Sequence, residues 1–123
     1  MTIQHAVLWM DHQKAIVLRL AHNISHRKII HNEQRHFHRN RDSLGSRAER
    51  DRPYFADVAA ALGETPEILL LGSGVGRLDF SAWLIEHRPD LARHVLRNAA
   101  WGHATDDELL AEGRRFFSAA DRI

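Results

Sequence analysis

The sequence predicts an α/β fold: a mixed, mostly parallel sheet with helices on both faces, extended by an N-terminal β-hairpin. Three observations carry this. Two β-prone runs, HAVLWM at 5–10 and AIVLRL at 15–20, are separated by only four polar residues, Asp11 to Lys14, which reads as a hairpin. Two later apolar runs, Glu67–Leu71 and Val95–Trp101, are each flanked by helical patterns, and strands alternating with helices favour parallel pairing through crossovers. The chain has 123 residues, 44% of them hydrophobic and 27% charged, so it is long enough for one core and reads as one domain, 1–123.

Each element follows from local chemistry. Lys28-Ile29-Ile30-His31 adds a third strand, making an antiparallel meander over 5–31. Residues 32–52 are polar, basic and poor in large apolar groups, with Leu44-Gly45-Ser46 as a flexible point, and read as a long flexible loop. From 53 to 118 the pattern is α-β-α-β-α. Pro53 suits the first turn of a helix, and Phe55, Val58, Ala59 and Leu62 fall on one face. Gly63 suits the stop after it. Glu67–Leu71 reads as a buried strand, and Gly72-Ser73-Gly74-Val75-Gly76 turns into a helix over 77–88 that Pro89 ends. A short helical turn at 90–94 precedes the β-prone run to Trp101. Thr105-Asp106-Asp107-Glu108 is a capping box for a last helix with Leu109, Leu110, Gly113, Phe116 and Phe117 on one face.

Composition excludes several classes of function. There is no cysteine, hence no disulfide scaffold, thiolate metal site or cysteine nucleophile. No apolar run approaches the ~20 residues of a membrane-spanning helix, and the N-terminus lacks a basic segment before an apolar one. The expected setting is cytoplasmic, with no membrane partner. The net charge of +1 conceals an asymmetry: residues 22–52 hold eight Lys and Arg against four Asp and Glu, a net +4, leaving −3 for the rest. Arginines outnumber lysines 15 to 2. That suits bidentate phosphate contacts, and it is also what a biased base composition would produce.

Four patterns are candidates for function. The basic segment offers Arg27, Lys28, Arg35, Arg39, Arg41 and Arg47, with only Phe37 as an aromatic inside it. Any nucleic-acid binding there would run through phosphates and respond to salt. The glycine turn Gly72, Ser73, Gly74, Gly76 stands between a strand and a helix, the context of an anion-binding loop. Its spacing is G-x-G-x-G, and no Lys-Ser/Thr follows. It is either a turn needing positive φ or a site for a nucleotide or S-adenosylmethionine. Too little chain follows for a doubly wound sheet, and no acidic residue ends the next strand to grip a ribose. Helix 77–88 is apolar on two sides: Phe80, Trp83, Leu84 and His87 on one, Leu78, Ala82 and Ile85 on the other. It is either sandwiched inside the fold or half exposed to a partner or a second copy. Histidines His22, His26, His31, His36 and His38 would add charge as pH falls to about 6. Asp11-His12 reads as a turn-stabilising aspartate beside a histidine rather than a proton-transfer pair. No residue is assigned a catalytic role, and no metal or cofactor is expected.

Several strings resemble a group of small bacterial proteins labelled translational machinery proteins: HAVLWMDHQKAIVLRL, the His-rich stretch that follows it, EILLLGSGVGRLDFSAWLIEHRPDLARHVL and WGHATDDELLAEGRRFF. That group in turn resembles the third domain of archaeal and eukaryotic peptide-chain release factor and of Pelota. The resemblance implies a three-layer α/β/α sandwich. It also implies contact with a translational GTPase rather than peptidyl-tRNA hydrolysis, which needs a Gly-Gly-Gln loop that this chain lacks. The group often has lysine after the glycine turn, where Arg77 stands here. The function expected is a non-enzymatic, translation-associated binding module for the ribosome, its RNA or a translation factor. Arg77 would add one more phosphate contact. A homodimeric adaptor using Leu78, Ala82 and Ile85 is the alternative, alongside the nucleotide-binding reading of the turn.

Overall fold

The computed structural model describes residues 4–20, 24–33 and 51–121. Its elements are β1 (His5–Met10), β2 (Lys14–Leu20), β3 (Ile24–His31), α1 (Arg52–Leu62), β4 (Glu67–Gly72), α2 (Gly76–His87), α3 (Pro89–Ala92), β5 (Val95–Ala100) and α4 (Asp106–Asp121). The predicted helices and strands all form, with ends shifted by up to three residues apart from β3, whereas the loop predicted over 32–52 lies outside the described residues from 34 to 50. The larger change is β3, which begins four residues earlier than Lys28 and so carries Arg27 as well.

The five strands form one sheet in the order β3-β2-β1-β4-β5. β1–β2 and β2–β3 pair antiparallel, whereas β1–β4 and β4–β5 pair parallel. The sheet is therefore mixed, and β1 is its central strand. All of Ala6 to Met10 is buried, as is Ile68 to Leu71, which explains why both strands read as continuous apolar runs rather than alternating ones.

Strand alternation divides the core into two layers. On one face Ala6, Leu8, Met10, Val17, Ile68 and Leu70 pack against Tyr54, Phe55, Val58 and Leu62 of α1 and Phe80 and Leu84 of α2. On the other, Val7, Trp9, Leu18, Leu69 and Leu71 pack against Leu109 and Phe117 of α4. Gly113 lets α4 approach, because a Cβ there would stand 2.6 Å from a Val7 methyl and 2.7 Å from a Leu20 methyl. The predicted helix signals operate: the Thr105 hydroxyl accepts from the Glu108 N–H at 3.2 Å, and the Thr105 N–H donates to Glu108 Oε1 at 2.8 Å. Gly63 adopts φ 59° at the end of α1, its N–H returning to Ala59 O.

Candidate functional site

The basic outer strand comes first. Among the described residues β3 pairs with β2 on one side only, so it forms an edge of the described sheet. His26, Arg27, Lys28 and His31 are exposed. Arg27 stands opposite Leu18 and Lys28 opposite Val17, which places them on opposite faces of the sheet. Arg27 Nε donates to Asp106 Oδ2 in the first turn of α4, and Lys28 extends from the face that α1 covers. Arg35, Arg39, Arg41 and Arg47, like His22, His36 and His38, lie outside the described residues.

Beside this strand lies a buried polar clasp that no local pattern announces. Asn32, 3% exposed, donates Nδ2 to His12 O at 2.8 Å and to Asp51 Oδ1 at 3.0 Å, and its N–H donates to Gln13 O. Tyr54 donates its hydroxyl to Asp11 O at 2.9 Å. Burial pushes the tyrosine well above its ordinary range, and the charges of Asp11 and Asp51 add to that. Short-range sequence signals do not reveal such contacts, which join residues 19 to 43 positions apart.

At the carboxyl ends of β1, β4 and β5 three connections meet. Asp11 Oδ1 accepts from the N–H groups of Gln13 (2.7 Å) and Lys14 (2.9 Å), the expected turn-stabilising role. Its Oδ2 stands 3.4 Å from His103 Nε2, and His12 Nε2 stands 3.3 Å from Asp79 Oδ2. Trp9 Nε1 donates to Gly102 O at 2.9 Å, tying the segment after β5 across the sheet. Among the described residues no group of three or more His, Asp or Glu side chains could hold a metal ion.

The glycine turn sits at this same end. Gly74 has φ 66°, as the turn reading required, and Gly72 and Gly76 are needed for a different reason. A Cβ at Gly72 would lie 2.0 Å from Met10 O, and one at Gly76 would lie 2.7 Å from the Asp11 carbonyl carbon. Glycine thus lets the turn press against β1 and its following turn. Ser73 is half-buried and Gly74 exposed. The N-terminus of α2 has no side-chain cap. Arg77, expected as one more phosphate contact beside the turn, is 9% exposed, with Nη1 donating to Asn98 Oδ1 on β5.

Helix α2 is half exposed. Phe80 and Leu84 are buried, whereas Leu78 is 50% and Ile85 66% exposed, and Ala82 is exposed too. The sandwiched alternative does not hold, because α1 and the sheet cover only one side of α2. No described helix is long and apolar enough to cross a membrane.

No protein-family profile and no curated protein matches the chain by sequence. The fold is nevertheless shared with solved structures. Pelota from Archaeoglobus fulgidus superposes with a TM-score of 0.58 at 15% identity, and Pelota from Thermoplasma acidophilum with 0.56 at 17% identity. An archaeal translation termination factor superposes with 0.49 at 7% identity. Each match covers 96% of this chain, which spans 34%, 33% and 40% of the respective structures. The chain thus has the fold of about one third of a Pelota molecule.

Proposed function

We propose that this protein is a non-catalytic binding module associated with translation, and that it engages ribosomal RNA through the β3 edge. The observation that carries the proposal is the outer strand itself: among the described residues an edge of the sheet, bearing exposed His26, Lys28 and Arg27, the last paired with Asp106. It leads in sequence toward Arg35, Arg39, Arg41 and Arg47. The Pelota-like fold and the sequence resemblance to the release-factor third domain support the translational setting. They also support a binding role over a hydrolytic one, and a cytoplasmic location.

Phosphate contact explains the composition of the edge. Arginine forks and a lysine charge suit a polyanion, and the scarcity of aromatic residues argues against reading by base stacking. Co-sedimentation of the purified protein with ribosomes over a salt series tests this. Binding should weaken steeply with salt, and Arg27→Glu with Lys28→Glu should lower it by about tenfold or more while flattening the salt slope by roughly two contacts. Binding that ignores both salt and these substitutions would move the interface to a protein partner on another face.

A further inference from the structure

Among the described residues Arg77 is a buried cation with no acidic side chain paired to it. Its partner is Asn98, a neutral amide, and its Nε has no hydrogen-bond acceptor among the described residues. The nearest acid in sequence, Asp79, is committed elsewhere: its Oδ2 faces His12 Nε2 at 3.3 Å. Residues 77 and 79 are two apart on α2, about 200° around the helix. The acid therefore points toward the β1–β2 turn while the arginine points toward β5. A guanidinium out of water with one neutral partner is costly unless something compensates the charge.

Its surroundings add to the positive potential. Arg77 lies in the first turn of α2, where the helix dipole is positive and backbone N–H groups lack helical acceptors. That N-terminus has no side-chain cap. Asn98 is exposed and pairs with Leu70, two rungs below the Ala100–Gly72 pair at the start of the glycine turn. The space around the turn is open, since a Cβ at Gly74 would meet nothing within 4 Å. Arg77 thus joins the uncapped first turn of α2, to which it belongs, to the exposed Asn98 amide of β5 through its guanidinium.

The geometry points to a phosphate-type oxyanion site at the start of α2, formed by the Arg77 guanidinium, the Asn98 amide and the N–H groups that follow Gly74. Charge-assisted bonds from a planar guanidinium fit a phosphate oxygen. The N-terminal N–H groups provide the remaining donors, as in other helix-start anion sites. The ligand is a small phosphate-bearing molecule. The site stands beside β5, the sheet edge opposite β3, so it neither requires nor implies the RNA contact proposed above.

Amide and arginine Nε–H resonances of the ¹⁵N-labelled protein should be followed during titration with inorganic phosphate. Parallel titrations would use a nucleoside monophosphate and a short RNA without terminal phosphates. Saturable shifts at Arg77 Nε–H and at the amides of Val75 to Leu78, with a millimolar dissociation constant for phosphate and the monophosphate, support the site. The same shifts from the RNA alone, with none from phosphate or the monophosphate, would overturn a small-molecule site.

Two variants make the test decisive. Arg77→Met keeps the stem and removes the charge, and should abolish the shifts. Asn98→Asp supplies an internal carboxylate at an exposed position; it should weaken phosphate binding by roughly tenfold or more while raising the midpoint of thermal unfolding. Absence of shifts at Arg77 in the native protein, or an Asn98→Asp protein that binds phosphate as the native one does, would overturn the site. Ribosome co-sedimentation of the same variants should be unchanged, which separates this outcome from the β3 proposal.

Discussion

The two edges of the sheet solve one problem in different ways. Each presents unpaired backbone groups that another chain could extend, and each must discourage that. β3 has a register shift too, at its start, where Arg19 and Leu20 face His26 and Ile24; along the regularly paired rest of it the deterrent is charge, with His26, Arg27, Lys28 and His31 exposed. On β5 only Arg97 is charged, and Leu96 is 46% exposed. There the deterrent is geometry, because the β4–β5 register shifts between Ile68 and Leu69, so that Val95 and Arg97 face consecutive β4 residues. An edge guarded by charge can also serve as a surface for a polyanion. An edge guarded by a bulge leaves its side chains available for something smaller. The difference assigns the two proposed interactions to opposite sides of the molecule.

The largest effect should come from breaking the attachment of one edge and not the other. β5 reaches the rest of the sheet through β4 alone, as β3 does through β2. Gly72→Ala places a Cβ 2.0 Å from Met10 O, backbone against backbone, and no rotamer relieves it. The expected loss is about 4 kcal/mol or more in urea unfolding. Hydrogen exchange should show β4 and β5 losing protection while the β2–β3 pair keeps it. If the variant does not accumulate folded, native-state exchange of the wild type in low urea reads the same order. Loss of β3 protection before β5 would mean that the edges are not independent.

An intermediate effect tests the anchor on the β3 side. Tyr54 is the only tyrosine, is 2% exposed, and holds α1 to the β1–β2 turn through Asp11 O. Its folded pKa is raised above the unfolded value of about 10, so the folded state favours the neutral phenol. Its contribution is therefore fully present below about pH 10 and is lost as pH rises above that, when the unfolded tyrosine ionises. Spectrophotometric titration should show tyrosinate appearing only together with unfolding. Tyr54→Phe should cost about 1 kcal/mol at neutral pH and flatten the alkaline decline. A tyrosine that ionises normally in the folded protein would contradict its burial.

These tests concern contacts that differ in how far they could be read from sequence. HAVLWM, AIVLRL and EILLLG were legible as strands because burial on both faces leaves an uninterrupted apolar run, and the Thr105–Glu108 box because it is local. The two-sided pattern of α2 was legible as an ambiguity, and only packing resolved it: α1 and the sheet cover Phe80 and Leu84 but not Leu78 and Ile85. The glycine turn was legible as a turn. That Gly72 and Gly76 are there for close approach to β1 depended on a parallel pairing between residues 62 positions apart. Asn32, Asp51, and the His12–Asp79 and Asp11–His103 pairs had no periodic or motif signal, because each joins separate elements. Arg77 was singled out for its charge, while its burial against Asn98 follows from β5 lying beneath the first turn of α2.

The smallest effect on stability should come from exchanging the characters of the two edges. His26→Val with Lys28→Val makes one face of β3 apolar, since residues two apart share a face, and leaves the Arg27–Asp106 pair intact. Leu96→Lys adds a charge to β5. All three positions are exposed, so unfolding free energies should change by no more than about 0.5 kcal/mol. Association should change instead. Sedimentation velocity over a concentration series should show the β3 variant forming dimers or larger species where the native protein does not, because an apolar edge that pairs regularly from His26 to His31 is a template for another strand. Leu96→Lys should leave the native sedimentation unaltered, because the bulge already guards β5. If Leu96→Lys instead dissociates a native dimer, β5 and the exposed face of α2 are an interface between copies.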